Sequence, residues 1–131
     1  MSDKKVVRAS HVMKSDFAEV EGLMTIAEAL EVARERRTRV LIVKKRHADD
    51  EYGLVLLSDI AKQVIAKNRS PERVNVYEIM TKPVISVRPE MDVRYCARLF
   101  ENVGISVAPV IGADSVEGVL SYNDIVLDGL L

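Results

Sequence analysis

Apolar residues recur with a helical period in two places along the chain. Ile26, Ala29, Leu30 and Ala33 fall at i, i+3, i+4 and i+7, and Val93, Cys96, Ala97 and Phe100 repeat that spacing. Each set draws one apolar stripe on an amphipathic helix. Thr25 with Glu28 three positions on opens the first helix as a capping box, while Asp92 caps the second and Gly104 can end it. Both helices lead into apolar strands, Val40, Leu41, Ile42 and Val43 in one case and Val107, Ala108, Pro109, Val110 and Ile111 in the other. Further strands follow at Gly53, Leu54 and Val55 and at Gly118, Val119 and Leu120. Final helices are predicted near Ser58 and Tyr122, the first with an apolar stripe of Ile60, Ala61, Val64 and Ile65.

These are two copies of one pattern. At an offset of 67, Met13 falls on Met80, Val20 on Val87, Met24 on Met91, Val40 on Val107 and Val43 on Val110. After these strands the offset drops to 65, pairing Gly53 with Gly118 and Asp59 with Asp124, a change that a turn absorbs. The predicted class is mixed α/β (α+β): two β-α-β-β-α repeats packed sheet to sheet about a pseudo-twofold axis. The repeats span residues 12–70 and 76–131 with a linker at 71–75; residues 68–73 are polar and Pro71 stops the helix before them. One such unit cannot bury both faces of its strands alone, whereas two can. Duplication also makes two equivalent clefts, the natural places for a ligand.

Composition narrows the function classes. The chain has 131 residues, 48% hydrophobic and 30% charged, with a net charge of −1, which suits one compact domain of ordinary size. Apolar stretches such as Val40 to Val43 are four residues long, against the roughly 18 that a membrane span needs. The opening Met-Ser-Asp-Lys-Lys has no apolar core of the signal-peptide kind. Cys96 is the single cysteine, so no intramolecular disulfide or multi-cysteine zinc site can form, and a cytoplasmic location is expected. Its place on a helical stripe reads as a buried structural thiol. His11 and His47 lack the i, i+4 partners of a metal site, and no glycine-rich phosphate loop is present. No catalytic or metal-ligating residue, and hence no enzyme, is expected.

Charge is uneven, at +3 over residues 1–70 and −4 over residues 71–131, which would favour antiparallel contact between copies. Arg34, Arg36, Arg37, Arg39, Lys44, Lys45 and Arg46, with only Glu35 among them, read as a phosphate-binding patch or as a solvated helix end and hairpin. The overall balance gives no reason to expect nucleic acid or a membrane surface as a partner.

The second repeat carries Ile79-Met80-Thr81-Lys82-Pro83-Val84, then Val87, the helix from Asp92, Gly104-Ile105-Ser106-Val107-Ala108-Pro109-Val110, and Gly118-Val119-Leu120-Ser121-Tyr122-Asn123-Asp124-Ile125. In this order and spacing, nearly repeated 67 residues upstream, the chain resembles a tandem pair of cystathionine-β-synthase-type (CBS) domains, a Bateman module. The resemblance implies a non-enzymatic regulatory, energy-sensing module that binds an adenosine-containing ligand, with AMP, ADP or ATP first and S-adenosylmethionine or NAD next. It implies a homodimeric four-repeat disc acting on a regulated protein that the sequence does not name. In the family pattern Gly-h-h-(Ser/Thr)-x-x-Asp, with h apolar, the aspartate accepts from the ribose hydroxyls and the Ser/Thr hydroxyl helps hold ribose or phosphate; Ser121 and Asp124 match it. By the same correspondence Val84, Ile85, Ser86, Val107, Ala108 and Pro109 line the adenine pocket, and Arg39 contacts phosphate. The first repeat keeps Asp59 but has Leu56 for the hydroxyl, Lys14 for Thr81 and Ile42 for Pro109, so its cleft is expected to be degenerate. The alternative is a protein-interaction module of the same fold with empty clefts, in which Ser121 and Asp124 only cap a helix.

Overall fold

A computed structural model describes residues 5–113 and 115–130. The leader reading rests partly on residues 1–4, which lie outside them. The elements are α1 (Ala9–Val12), β1 (Ala18–Val20), α2 (Ile26–Arg36), β2 (Val40–Val43), β3 (Gly53–Leu56), α3 (Leu57–Ile60), α4 (Val93–Val103), β4 (Val107–Gly112), β5 (Ser115–Ser121) and α5 (Tyr122–Gly129). A π-helical stretch, Ala61–Ile65, continues α3, and a 3-10 turn covers Val76–Glu78. This is the mixed α/β class that the repeat predicts.

Local chemistry sets the helix ends. Thr25 Oγ1 accepts from Glu28 N–H at 3.1 Å while Glu28 Oε1 accepts from Thr25 N–H at 2.8 Å, closing the predicted box on α2. Asp92 Oδ1 accepts from Arg94 N–H at 2.9 Å to open α4. Gly104 ends α4 with φ +75°, and at the equivalent end of α2 Arg37 is held at φ +53°.

The chain forms two compact units, one of Asp16–Val84 and one joining the described part of Met1–Ser15 to Ile85–Leu131. Relative to the 12–70 and 76–131 repeats, these units exchange opening segments. In the Asp16–Val84 unit, β1 pairs parallel with β2 and β2 antiparallel with β3, and Thr81 bridges Leu54 on the far edge of β3. Residues 74–76 also belong here: Ile26 N–H donates to Val74 O at 2.7 Å and Val76 N–H to Met24 O at 2.8 Å. The core gathers Ile26, Ala29 and Ala33 of α2 with Leu41, Val43, Val55, Val64 and Val76. Counted over Asp16–Val84, acidic and basic side chains balance at 12 each. The opposite charge of the two sequence halves therefore does not carry over to the folded units.

In the other unit β4 and β5 form an antiparallel pair, and Lys14 bridges Val119 on the far edge of β5, with Lys14 N–H to Val119 O at 2.9 Å and Val119 N–H to Lys14 O at 2.8 Å. Its core is Phe100, Cys96, Val87, Val110, Leu120, Ala9 and their neighbours. The first strand that the β-α-β-β-α pattern expects in the second repeat, over Val84, Ile85 and Ser86, is not formed, which corrects that pattern; among the described residues before α4 only Val87 bridges Val110. Pro109 explains the loss. Val87 N–H donates to Pro109 O at 3.0 Å and Ile111 N–H to Val87 O at 2.9 Å. The next rung outward requires an N–H on residue 109, which proline lacks and its counterpart Ile42 supplies.

Gly118 and Gly53 make the exchanged contacts possible. A Cβ at Gly118 would lie 2.8 Å from Met13 Sδ and 3.0 Å from Lys14 O; at Gly53 it would lie 3.0 Å from Met80 Sδ. Gly118 is thus a close-approach residue, and Met13 and Met80 are the side chains that approach. Gly118→Ala should lower stability by about 1–3 kcal/mol through overpacking, read as a shift of the urea midpoint. An unchanged midpoint would show that the segment moves aside freely.

Cys96 is fully buried, and burial pushes its thiol up to about 11, with Asp92 adding to the effect. Native protein at pH 8 should therefore react with iodoacetamide only as fast as it opens, and urea should release the reaction. Rapid native labelling would place Cys96 at the surface.

Candidate functional site

Ser121 is the last residue of β5 and the N-cap of α5. Its hydroxyl accepts from Asp124 N–H at 3.2 Å, while Asp124 Oδ2 accepts from Ser121 N–H and from Ser121 Oγ, both at 2.9 Å. One carboxylate oxygen is thereby spent on the cap. The other, Oδ1, faces Lys14 Nζ at 3.9 Å, and the Asp124 side chain is 15% exposed. A fixed, partly shielded carboxylate whose second oxygen is met only by a 3.9 Å ion pair can accept hydrogen bonds from a hydroxyl-bearing ligand.

Lys14 enters this site because its backbone is stitched to Val119. Its ammonium makes a 2.6 Å ion pair with Asp128, one turn after Asp124 on α5. The Asp128 hydrogen bond raises Lys14 above the ordinary lysine value. Sequence reasoning treated Lys14 only as a departure from Thr81. The spacing of Asp124 and Asp128 at i, i+4 was the available sign that a cation is held there.

The sheet brings several expected residues near this cap. Val107 pairs with Ser121, Ala108 with Leu120 and Pro109 with Val119. Tyr122 N–H donates to Ser106 O at 3.2 Å. Ile85 and Ser86 are exposed and precede Val87 in this unit. Val84 belongs to the Asp16–Val84 unit, where its N–H donates to Tyr52 O at 3.2 Å. Arg39 lies in that unit too, with its carbonyl accepting from Leu57 N–H at 3.1 Å.

The first repeat keeps half of the cap geometry. Asp59 Oδ2 accepts from Leu56 N–H at 2.8 Å, but Leu56 offers no hydroxyl. A concavity of about 410 Å³ lies elsewhere in this unit, with Leu30, Ala33 and Leu57 as its apolar lining and Arg34, Arg37, Thr38 and Arg39 around them. The repeat explains why it is open: Ala33 and Leu57 stand where the second copy has Phe100 and Tyr122, whose rings meet edge to face at 5.4 Å. Thr38 is buried and committed, donating to Asp16 O at 3.0 Å and accepting from Val40 N–H at 3.1 Å. Sequence reading noticed the arginines but not the missing aromatic pair.

Among the described residues no group of three or more His, Cys, Asp and Glu could hold a metal ion, and no helix is long and apolar enough to cross a membrane.

The CBS domain model matches residues 76–128. The hexameric CBS-CP12 protein from bloom-forming cyanobacteria is 39% identical with a TM-score of 0.89, over 94% of this chain and 71% of that one. A CBS domain protein of Pyrobaculum aerophilum, complexed with AMP, shares 19% identity with a TM-score of 0.80, over 93% of this chain and 92% of that one. A homoserine O-acetyltransferase of Methanohalobium evestigatum is 34% identical over 119 residues, 88% of this chain but 23% of the relative. The chain spans from about a quarter to about half of the curated relatives it matches, at 23% and 51%. The chain belongs to the CBS-domain family and is a tandem pair of these domains, a Bateman module.

Arg37 occupies a backbone conformation that disfavours side chains. Arg37→Gly should stabilise the fold by about 1 kcal/mol, measured by urea unfolding. A loss of stability would mean that the Arg37 side chain contributes more than its backbone costs.

Proposed function

We propose that the module is a non-catalytic sensor whose second repeat binds an adenosine-containing ligand, AMP, ADP or ATP before S-adenosylmethionine or NAD. The observation that carries this reading is the Asp124 carboxylate, locked by Ser121 through Oδ2 and leaving Oδ1 to a ribose diol. Ile85, Ser86, Val107, Ala108 and Pro109 offer the apolar and backbone surface suited to adenine. Lys14 stands beside the carboxylate and has to share it with the ligand or turn to the ligand's own anionic group. The AMP carried by the Pyrobaculum protein of the same fold supports this ligand class. Occupancy would be passed to a regulated protein through the packing of the module, which we propose to self-associate through its exposed helix faces in a cytoplasmic setting.

Calorimetric titration with AMP and ATP tests the site. Hydrogen bonds to a charged acceptor contribute about 1.5–3 kcal/mol each, so Asp124→Ala should weaken binding about ten-fold or more. Asp59→Ala should change affinity far less, because Leu56 leaves that cap without a hydroxyl. Binding that survives Asp124→Ala and is lost in Asp59→Ala would move the site to the first repeat. No heat with any adenosine compound would favour the protein-interaction module.

A further inference from the structure

We propose that Lys14 makes the Asp124 site discriminate by ligand charge: its ammonium moves from Asp128 to the 5′-phosphate of a bound nucleotide, so the site holds an adenosine phosphate more tightly than the uncharged nucleoside. The inference rests on the ligand class proposed above and names the part of the ligand that is read.

The two repeats supply the comparison. Lys14 and Thr81 occupy the same backbone position, the one bridging Val119 and the other Leu54. At the second-repeat cap Lys14 is paired with Asp124 and Asp128. The corresponding first-repeat residues are Thr81, Asp59 and Gln63, and Gln63 Oε1 instead accepts from Lys67 Nζ at 3.1 Å. A threonine hydroxyl and an amide carry no net charge, so one shared scaffold holds a charged trio at one cap and not at the other. Stitching the segment to the sheet needs only its backbone, which Thr81 provides equally well.

Geometry gives the two carboxylates different parts. Asp124 spends Oδ2 on the Ser121 cap, and its Oδ1 stands 3.9 Å from Lys14 Nζ, whereas Asp128 holds the same ammonium at 2.6 Å. Lys14 Nζ also reaches Val12 O at 3.5 Å. Asp128 is therefore a positioning residue, parking the ammonium one turn away from the oxygen that a ribose diol would take. The Lys14 and Asp128 side chains are 49% and 47% exposed, and an ion pair so open to water is held weakly. A phosphate monoester carries roughly 1.5–2 negative charges at pH 7 and accepts through several oxygens, so it outbids one exposed carboxylate for the ammonium. Lysine suits the exchange, being a point charge on a flexible four-carbon stem. Among the described residues Lys14 is the only cation paired with Asp124 or Asp128, so neutralising it removes the exchange.

Calorimetric titration with adenosine and with AMP at low salt tests this, in the unsubstituted chain and in Lys14→Met, Lys14→Arg and Asp128→Asn, with urea unfolding showing that each variant is folded. The unsubstituted chain should prefer AMP by about ten-fold or more, as a charge-assisted bond allows. Lys14→Met should weaken AMP by a similar factor while tightening adenosine, because the carboxylate is then uncontested, and Lys14→Arg should keep the preference. Asp128→Asn should free the ammonium to close on Asp124, weakening adenosine several-fold and widening the preference. Equal affinities for AMP and adenosine in the unsubstituted chain, an equal loss of both in Lys14→Met, or a preference that survives Lys14→Met would overturn the charge discrimination and leave the Asp124 site standing. AMP binding undiminished in Asp124→Ala, or no binding of either compound, would overturn the ligand reading and this inference with it.

Discussion

Each small sheet of this protein is completed by the opening segment of the other repeat. The Met13 and Lys14 segment lies against Gly118 and Val119, and the Met80 and Thr81 segment lies against Gly53 and Leu54. Backbone hydrogen bonds on the outer edges of β5 and β3 hold these segments, so the edges do not stand open. The approach is so close that a Cβ at either glycine would press on the methionine above it, at 2.8 Å from Met13 Sδ and 3.0 Å from Met80 Sδ. A repeat taken alone would therefore expose a sheet edge and lack part of its core.

The same exchange builds the candidate site. Lys14 stands beside Asp124 because the backbone of its segment is paired to Val119. The candidate carboxylate thus belongs to the second repeat, while the cation beside it comes from the start of the first. Single substitutions then make two once-equivalent places diverge. Ser121 against Leu56 decides which cap holds its aspartate by two bonds, and Phe100 and Tyr122 against Ala33 and Leu57 decide which helix pair is filled and which is open.

Much of the fold was legible in the sequence because helical periodicity, caps and the duplicated spacing are local and redundant. The stripe of Ile26, Ala29 and Ala33, the Thr25 and Glu28 box and the Ser121 and Asp124 cap all stand where their patterns place them. What the sequence hid is pairwise and long-range. Pro109 was visible as a difference from Ile42, but the rung it removes depends on which way its nitrogen points in the ladder. The close approach at Gly118 is invisible in the sequence because its neighbour, Met13, lies more than a hundred positions away. The opposite charges of the two halves disappear in the folded units because the exchanged segments redistribute them.

Ligand binding through Asp124 is the claim on which the functional account turns, and a crystal structure grown with AMP tests it most directly. The account predicts a ribose hydroxyl within hydrogen-bond distance of Asp124 Oδ1, the Ser121 cap intact on Oδ2, and Lys14 shifted from its place between Asp124 and Asp128. AMP bound away from α5, with Lys14 still closing the carboxylate, would contradict it.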